Sequence, residues 1–528
     1  MKKLFLSIAA LLAATQMYAV PANPRPFTYT QPDGVKIILT LVGDEHAHSY
    51  MDADGNAVYI NDEGYVKRSG EKARSMVNKM RKSSKFGMGA YPQRICRQAQ
   101  AGNVHGLIVL VNFSDLKFTN TKENIHRLMN EENYAENGAT GSARDYFVAQ
   151  SMGEFQPTFD VVGPIDLDLP YRYYGGNDAN GSDRHPDTMI FSAVQKAAEE
   201  GLIDLNQYDL DNDGIVDMVY VIYAGLGEAD GGDANTIWPH MWNLQASAQF
   251  AYQQINGKRL GLYACSAEYR GDKTFSGIGT FCHEYGHCLG LPDIYDVDYS
   301  GGYGMASYDI MSSGSYLNNG NTPPNYSGFE RYSVGWLTYD DITVARDVTL
   351  SPISESNTAI RLSSPANPDE YFVLENRQKT GWDSYLPARG LMITHIDYDE
   401  EAWDKNTVNN DKDHQRVKMI AADNVWNAST QSGDLYPGLL NNTEFSDTSV
   451  PNSLLWDGTP LGKPVTDIKL SGTDVTFHVN INASAIGSPI TDQTAAYCLK
   501  DKVYNLSGQR VNELYKGIII KGGKAYAQ

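Results

Sequence analysis

The run Phe281-Cys-His-Glu-Tyr-Gly-His-Cys-Leu-Gly-Leu-Pro-Asp293 restricts this chain more than any other part of it. His283 and His287 stand four residues apart, so on an α-helix they lie one above the other on one face, where two imidazoles can grip one ion. Glu284 follows the first of them directly. Its carboxylate then stands beside that ion, placed to take a proton from a zinc-bound water and to return it to a leaving amine. Gly290 lacks a Cβ and suits the left-handed turn that ends a helix and folds the chain back, which brings Asp293 toward the metal. Two imidazoles and one carboxylate leave a fourth position open, as a catalytic zinc site requires and a structural site does not. The pattern His-Glu-x-x-His-x-x-Gly-x-x-Asp thus predicts a catalytic zinc centre rather than three polar residues decorating an ordinary helix.

Ser307-Tyr-Asp-Ile-Met311 follows at the spacing of a turn that sets a methionine under the zinc ligands as an apolar floor, although a Met in such a stretch also serves as a core filler. Tyr316 is a candidate catalytic residue that would donate a hydrogen bond to the oxyanion of amide hydrolysis. Its other reading is aromatic packing. Asp209-Leu-Asp211-Asn-Asp213-Gly214-Ile-Val-Asp217 places oxygen donors at alternate positions with a glycine at the sharp turn, half of an EF-hand-type loop that predicts calcium. Tyr220 stands where such a loop ends in a bidentate Glu, so coordination must be completed elsewhere or be weaker. The alternative is an acidic turn leading into the apolar strand Ile215 to Tyr223.

Net charge is -21, which argues against nucleic-acid binding because phosphate recognition needs a basic footprint. Lys2 and Lys3 precede an apolar run to Leu12, and Ala19 offers a small residue before Val20-Pro21, the pattern of a signal peptide over 1–19. No later stretch is long and apolar enough to span a bilayer, so the expectation is a secreted or cell-surface protein that is not an integral membrane protein. Five cysteines are few for an exported chain and cannot all pair within it. Cys282 and Cys288, six helical positions and about 9 Å apart, are beyond disulfide reach.

Beyond the zinc motif and the Met311 turn, several segments resemble the immune inhibitor A family of zinc metallopeptidases, which lies near the metzincins. They are His105 to Asp115, Tyr146 to Pro157, Tyr173 to Gly176, Ile237 to Trp242, Tyr332 to Trp336, Tyr371 to Arg377 and Gly390 to Asp397. The resemblance runs from about His105 to about Asn480. It implies a peptidase fold, proteolysis of protein or peptide substrates, and calcium beside the zinc. The third zinc ligand it implies is Asp293, with Asp296 and Glu330 as substitutes. Competing readings are an exported adhesin or carbohydrate-binding protein with a vestigial peptidase domain, and a zinc hydrolase of non-peptide amides.

The expected architecture is multidomain: a mixed α/β metzincin-like zinc peptidase domain followed by a β-sandwich domain. After the signal peptide, 20–101 reads as a propeptide, basic between Tyr65 and Arg97 and thus a target for an activating protease. Cys96, or a carboxylate such as Asp33, Asp52 or Asp54, is a candidate latency ligand. The catalytic domain spans 102–339, with strands at Leu107 to Val111 and Ile215 to Tyr223 and helices near Lys122 to Met129 and His185 to Glu200. Short alternating strands over 340–482 read as the β-sandwich. The tail, 483–528, resembles the β-type sorting signals of the type IX secretion route, or is a plain hairpin.

Overall fold

Alternating apolar residues on both faces of four strands build the central layer of the protein, in which a sheet is covered by helices on each side. The computed structural model describes residues 20–45, 47–61, 63–83, 101–178, 181–365 and 367–482, with the short strands 503–505, 510–511, 518–521 and 524–527 in the tail. Strands β1 (Phe27–Thr30), β2 (Lys36–Asp44), β3 (Ala47–Met51), β4 (Asn56–Ile60) and β5 (Val66–Lys72) form an antiparallel meander carrying the helix Ala73–Ser83. The central sheet contains β6 (Gly102–Asn112), β7 (Phe155–Asp166), β8 (Ile215–Leu226), β9 (His240–Asn243) and β10 (Arg259–Tyr269) in the order β7-β6-β8-β10-β9. Every pairing is parallel except that of the edge strand β9.

Successive residues of β6 and β8 point to opposite faces. Leu107, Val109, Val219 and Val221 join the core that packs against the helix Pro186–Glu199. Ile108, Leu110, Tyr220 and Ile222 join the core containing Phe281, Cys282 and Tyr285 of the helix Gly279–Cys288. Each such side chain contributes roughly 1.5–3 kcal/mol by leaving water. The helix Lys122–Asn130 starts at the Thr121 cap, and Ala143–Gln150 starts at a capping box of Ser142 and Asp145.

The second half builds two further sheets. One runs β11-β13-β14-β15-β16, from β11 (Asp340–Asp341), β13 (Ile360–Ser363), β14 (Glu370–Arg377), β15 (Gly390–Asp397) and β16 (Val417–Met419). The other pairs β12 (Arg346–Leu350), β18 (Asp474–Val479) and β17 (Val465–Ser471) in the order β12-β18-β17. Phe372, Leu374, Leu391 and Ile393 share a core with Val348, Val475 and Phe477 of the smaller sheet. The opposite face of the larger sheet, with Tyr371, Val373 and Met392, belongs to the same core as the zinc-motif helix. This region is therefore continuous with the unit built on the central sheet. At the junction buried Arg377 pairs with Glu375 and Asp383 and donates to the carbonyls of Tyr308 and Asn325, pinning the Met311 turn.

The described tail strands pair as one four-stranded sheet rather than a single hairpin. Among the described residues no helix is long and apolar enough to cross a membrane. Cys265, Cys282 and Cys288 are buried and none of them is in a disulfide among the described residues. Cys96 and the signal-peptide stretch lie outside the described residues.

Candidate metal centre and its cleft

The metal-motif helix runs Gly279–Cys288, and Gly290 takes φ +98° just beyond it, so the chain turns back as the missing Cβ allows. That return brings Asp293 over the two histidines. Nε2 of His283 and Nε2 of His287 lie 3.1 Å apart, and Asp293 Oδ1 stands 3.3 Å from the first and 3.4 Å from the second. Both rings are fixed from behind. His283 Nδ1 lies 2.7 Å from the Ile310 carbonyl, and His287 Nδ1 lies 2.8 Å from that of Leu291. A carbonyl only accepts, so each Nδ1 carries the proton and each Nε2 turns its lone pair inward. Two lone pairs and a carboxylate oxygen that has no hydrogen-bond partner among the described residues then face one another in a buried space. Such a convergence repels unless a cation lies between, and one carboxylate with two imidazoles suits zinc.

Asp293 is held by Asn406, whose Nδ2 donates to Asp293 Oδ2 at 2.6 Å and whose Oδ1 accepts the Asp293 N–H at 2.7 Å. Burial raises this carboxyl, and it falls below the usual carboxylate range only when positive charge faces it, on the His287 and His283 rings or on a cation between them. Asp296 instead accepts hydrogen bonds from Ser300, Gly301 and Gly302, and Glu330 closes a capping box with Ser327. Neither turns to the histidines. Met311 is fully buried beneath the helix, where a Cβ on Gly286 would meet its sulfur at 2.7 Å.

Glu284 is fully buried and its Oε2 has no hydrogen-bond partner among the described residues. Burial pushes its carboxyl well above the ordinary range, opposed by the Val20 N–H on Oε1 at 3.0 Å and reinforced by the charges of Asp293 and Glu45. Tyr316 points into the same cleft, but its hydroxyl donates to the Pro21 carbonyl at 2.6 Å. Burial raises that phenol well above its ordinary value, so it stays a donor.

The N-terminal unit, within the 20–101 expected to be a propeptide, thus covers the cleft through Val20 to Arg25. Trp238 Nε1 donates to the Val20 carbonyl at 3.0 Å, and Val20, Ala22 and Leu41 pack with Trp238 and Tyr316. His48 Nε2 meets Glu228 at 3.0 Å, Asn78 donates to the Asp298 carbonyl, and Tyr299 donates to that of Gly43. Asp33 and Asp54 are exposed, and Asp52 is tied to Asn56 and Arg68. Among the described residues of this unit the buried carboxylates are those of Asp44 and Glu45, at the turn after β2.

In the acidic loop the carboxylates of Asp209, Asp211 and Asp217 converge closely enough for one ion. Asp213 lies outside that group, its Oδ1 accepting the Ile215 N–H at 2.8 Å. Lys258 Nζ sits 2.5 Å from Asp209 Oδ2, so an ammonium already faces one of the three.

Residues 96–337 match the immune inhibitor A peptidase M6 catalytic domain. A stretch of 284 residues is 27% identical to pre-pro-metalloprotease PrtV of Vibrio cholerae serotype O1, covering 45% of this chain and 31% of that protein. Another of 262 residues is 28% identical to Immune inhibitor A of Bacillus thuringiensis subsp. alesti, covering 42% of this chain and 38% of that protein. The chain spans about a third of the length of these curated relatives.

Proposed function

Residues 96–337 belong to the immune inhibitor A family of metallopeptidases, and on that premise we propose that this chain is a secreted zinc-dependent endopeptidase made as a zymogen. The observation that carries the reading is the convergence of two inward imidazole lone pairs and the unpartnered Asp293 Oδ1 beside the buried Glu284. His283, His287 and Asp293 would hold the ion, which supplies a Lewis-acid centre that polarises a carbonyl and activates water at neutral pH.

Glu284 does the proton work. Its high proton affinity, set first by burial, suits a base that accepts a proton and then delivers it to a leaving amine. Trp238 and Tyr316 donate to successive carbonyls of the segment in the cleft and would do the same for a substrate backbone. Tyr316 remains the candidate oxyanion donor once Pro21 has left. The propeptide reading of 20–101 rests on the way Val20–Arg25 and the Asp44–Glu45 turn lie over Glu284, so release by an activating protease would open the site. Calcium at Asp209, Asp211 and Asp217, with Asp213 as a further candidate, would brace the start of β8. The region 340–482, read as a β-sandwich, would brace the zinc site through Asn406.

The test is cleavage of an unfolded protein by the processed chain and by Glu284→Ala, with zinc content measured for both. Loss of cleavage at equal zinc supports the assignment. Undiminished cleavage by the variant would sink it.

A further inference from the structure

The cleft is occupied by the chain's own residues. The Val20 backbone nitrogen donates to Glu284 Oε1, where the nitrogen of a leaving amine would receive its proton. From there the segment runs extended: Trp238 holds the Val20 carbonyl, Tyr316 holds that of Pro21, and Asn23 N–H donates to the Ala229 carbonyl at 2.9 Å. Asn23 then sends its side chain into a cavity whose wall includes Asp230, Arg270, Ser276 and Thr280, the last of these on the metal-motif helix. Asn23 Nδ2 donates to Asp230 Oδ1 at 2.7 Å, and Asn23 Oδ1 accepts the Arg25 N–H at 3.1 Å.

Resting on the peptidase reading above, we propose that Asp230 is a specificity-determining residue of this cleft. It selects substrates with an amide side chain, Asn or Gln, three residues C-terminal to the residue whose nitrogen is released. Asn23 is the stand-in for that side chain.

The lining decides between an amide and a basic side chain. Arg270 borders the same cavity, held there by Asp272 and Thr274, so a substrate ammonium would meet a fixed guanidinium beside Asp230. A neutral amide loses less hydration on entering and still donates to the carboxylate. Its oxygen also accepts a following backbone N–H, as Asn23 does, which Lys and Arg cannot do. Burial raises the Asp230 carboxyl, and the Asn23 amide offsets part of that, in keeping with a polar group that needs a partner there. An apolar side chain at this position removes the amide donor and leaves the carboxylate the Gly271 N–H and the Arg270 charge, so discrimination of about 10-fold in kcat/KM is expected.

The experiment uses the full chain activated by limited proteolysis and three peptides that differ only at this position, carrying Asn, Ala or Lys. The proposal expects kcat/KM to fall in the order Asn, Ala, Lys, and the Asn-to-Ala ratio to drop to about unity in Asp230→Ala. Equal rates on Asn and Ala, a preference for Lys, or a ratio that survives in Asp230→Ala would each overturn it. Binding of the same peptides to Glu284→Ala, read by calorimetry, separates the two readings. Selective binding without cleavage by the wild type defeats the peptidase reading alone, and cleavage without selectivity defeats Asp230 alone. A second variant is read on the unprocessed chain. Asn23→Asp sets two carboxylates against each other and should speed hydrogen exchange of the backbone amide at position 23, which the Ala229 carbonyl holds; an unchanged rate counts against the contact.

Discussion

Replacing Asn406 should weaken zinc binding although this residue would never touch the metal. Its amide makes two hydrogen bonds to Asp293, one to the carboxylate at 2.6 Å and one from the backbone N–H at 2.7 Å. A hydrogen bond to a charged group contributes about 1.5–3 kcal/mol, and each ~1.4 kcal/mol is tenfold in affinity. Without it Asp293 is free to leave the pose that faces both histidines, so zinc should bind about 10–100-fold more weakly, the usual cost of losing a partner behind a ligand. Backbone conformation has to be separated from this. Asn406 sits at φ +50°, where Ala adds about 1–2 kcal/mol of strain. Asn406→Gly removes the amide without that strain, and the pair Asn406→Gly and Asn406→Ala divides the two effects. Competition for zinc against a chromophoric chelator reads the affinity, and thermal melting reads the strain. If Asn406→Gly held zinc within about twofold of the wild type, the argument that this amide orients the ligand would fail.

Gly279→Ala would place a Cβ 1.9 Å from the Ser315 carbonyl oxygen, which is backbone and cannot swing aside. A loss of about 3 kcal/mol is expected from thermal melting, and an unchanged Tm would refute the close approach. The His48–Glu228 contact should make docking of the N-terminal unit pH-dependent. Burial would lower the His48 pKa, yet the Glu228 carboxylate prevails and raises it. The contribution is therefore complete below the imidazole's unfolded value near ~6.5 and is lost as pH rises through the higher folded value. Retention of a nicked N-terminal fragment should be constant below about pH 6.5 and fall as pH rises above it, and His48→Gln should flatten the profile; a rising curve would contradict the pair. At the acidic loop, Lys258 competes for Asp209. Calcium should raise the Tm of Lys258→Gln more than that of the wild type, and a calcium-indifferent Tm in both would remove the ion from the reading.

The metal motif was legible because its geometry is local. Two histidines at a helical interval, a glycine that permits φ +98° and an aspartate three residues on lie within one turn and its return. The strands expected at Leu107 to Val111 and Ile215 to Tyr223 appear as Gly102–Asn112 and Ile215–Leu226. The helices expected near Lys122 to Met129 and His185 to Glu200 appear as Lys122–Asn130 and Pro186–Glu199. Periodicity is a property of neighbouring residues, so it survives without the fold.

Contacts between distant residues leave no such trace. Asn406 lies far along the chain from Asp293 and in sequence is one Asn in a polar turn. The carbonyls that orient His283 and His287 are backbone atoms, identical in every residue type. The latency candidates Asp33, Asp52 and Asp54 were marked by chemistry alone, whereas the meander buries Asp44 and Glu45 near the cleft instead. The amino acids by themselves determined which residues can hold an ion and carry a proton, because that depends on side-chain chemistry and helical spacing. Only the tertiary structure decided what stands behind those ligands and what lies in front of them, because it sets which distant segments desolvate one another.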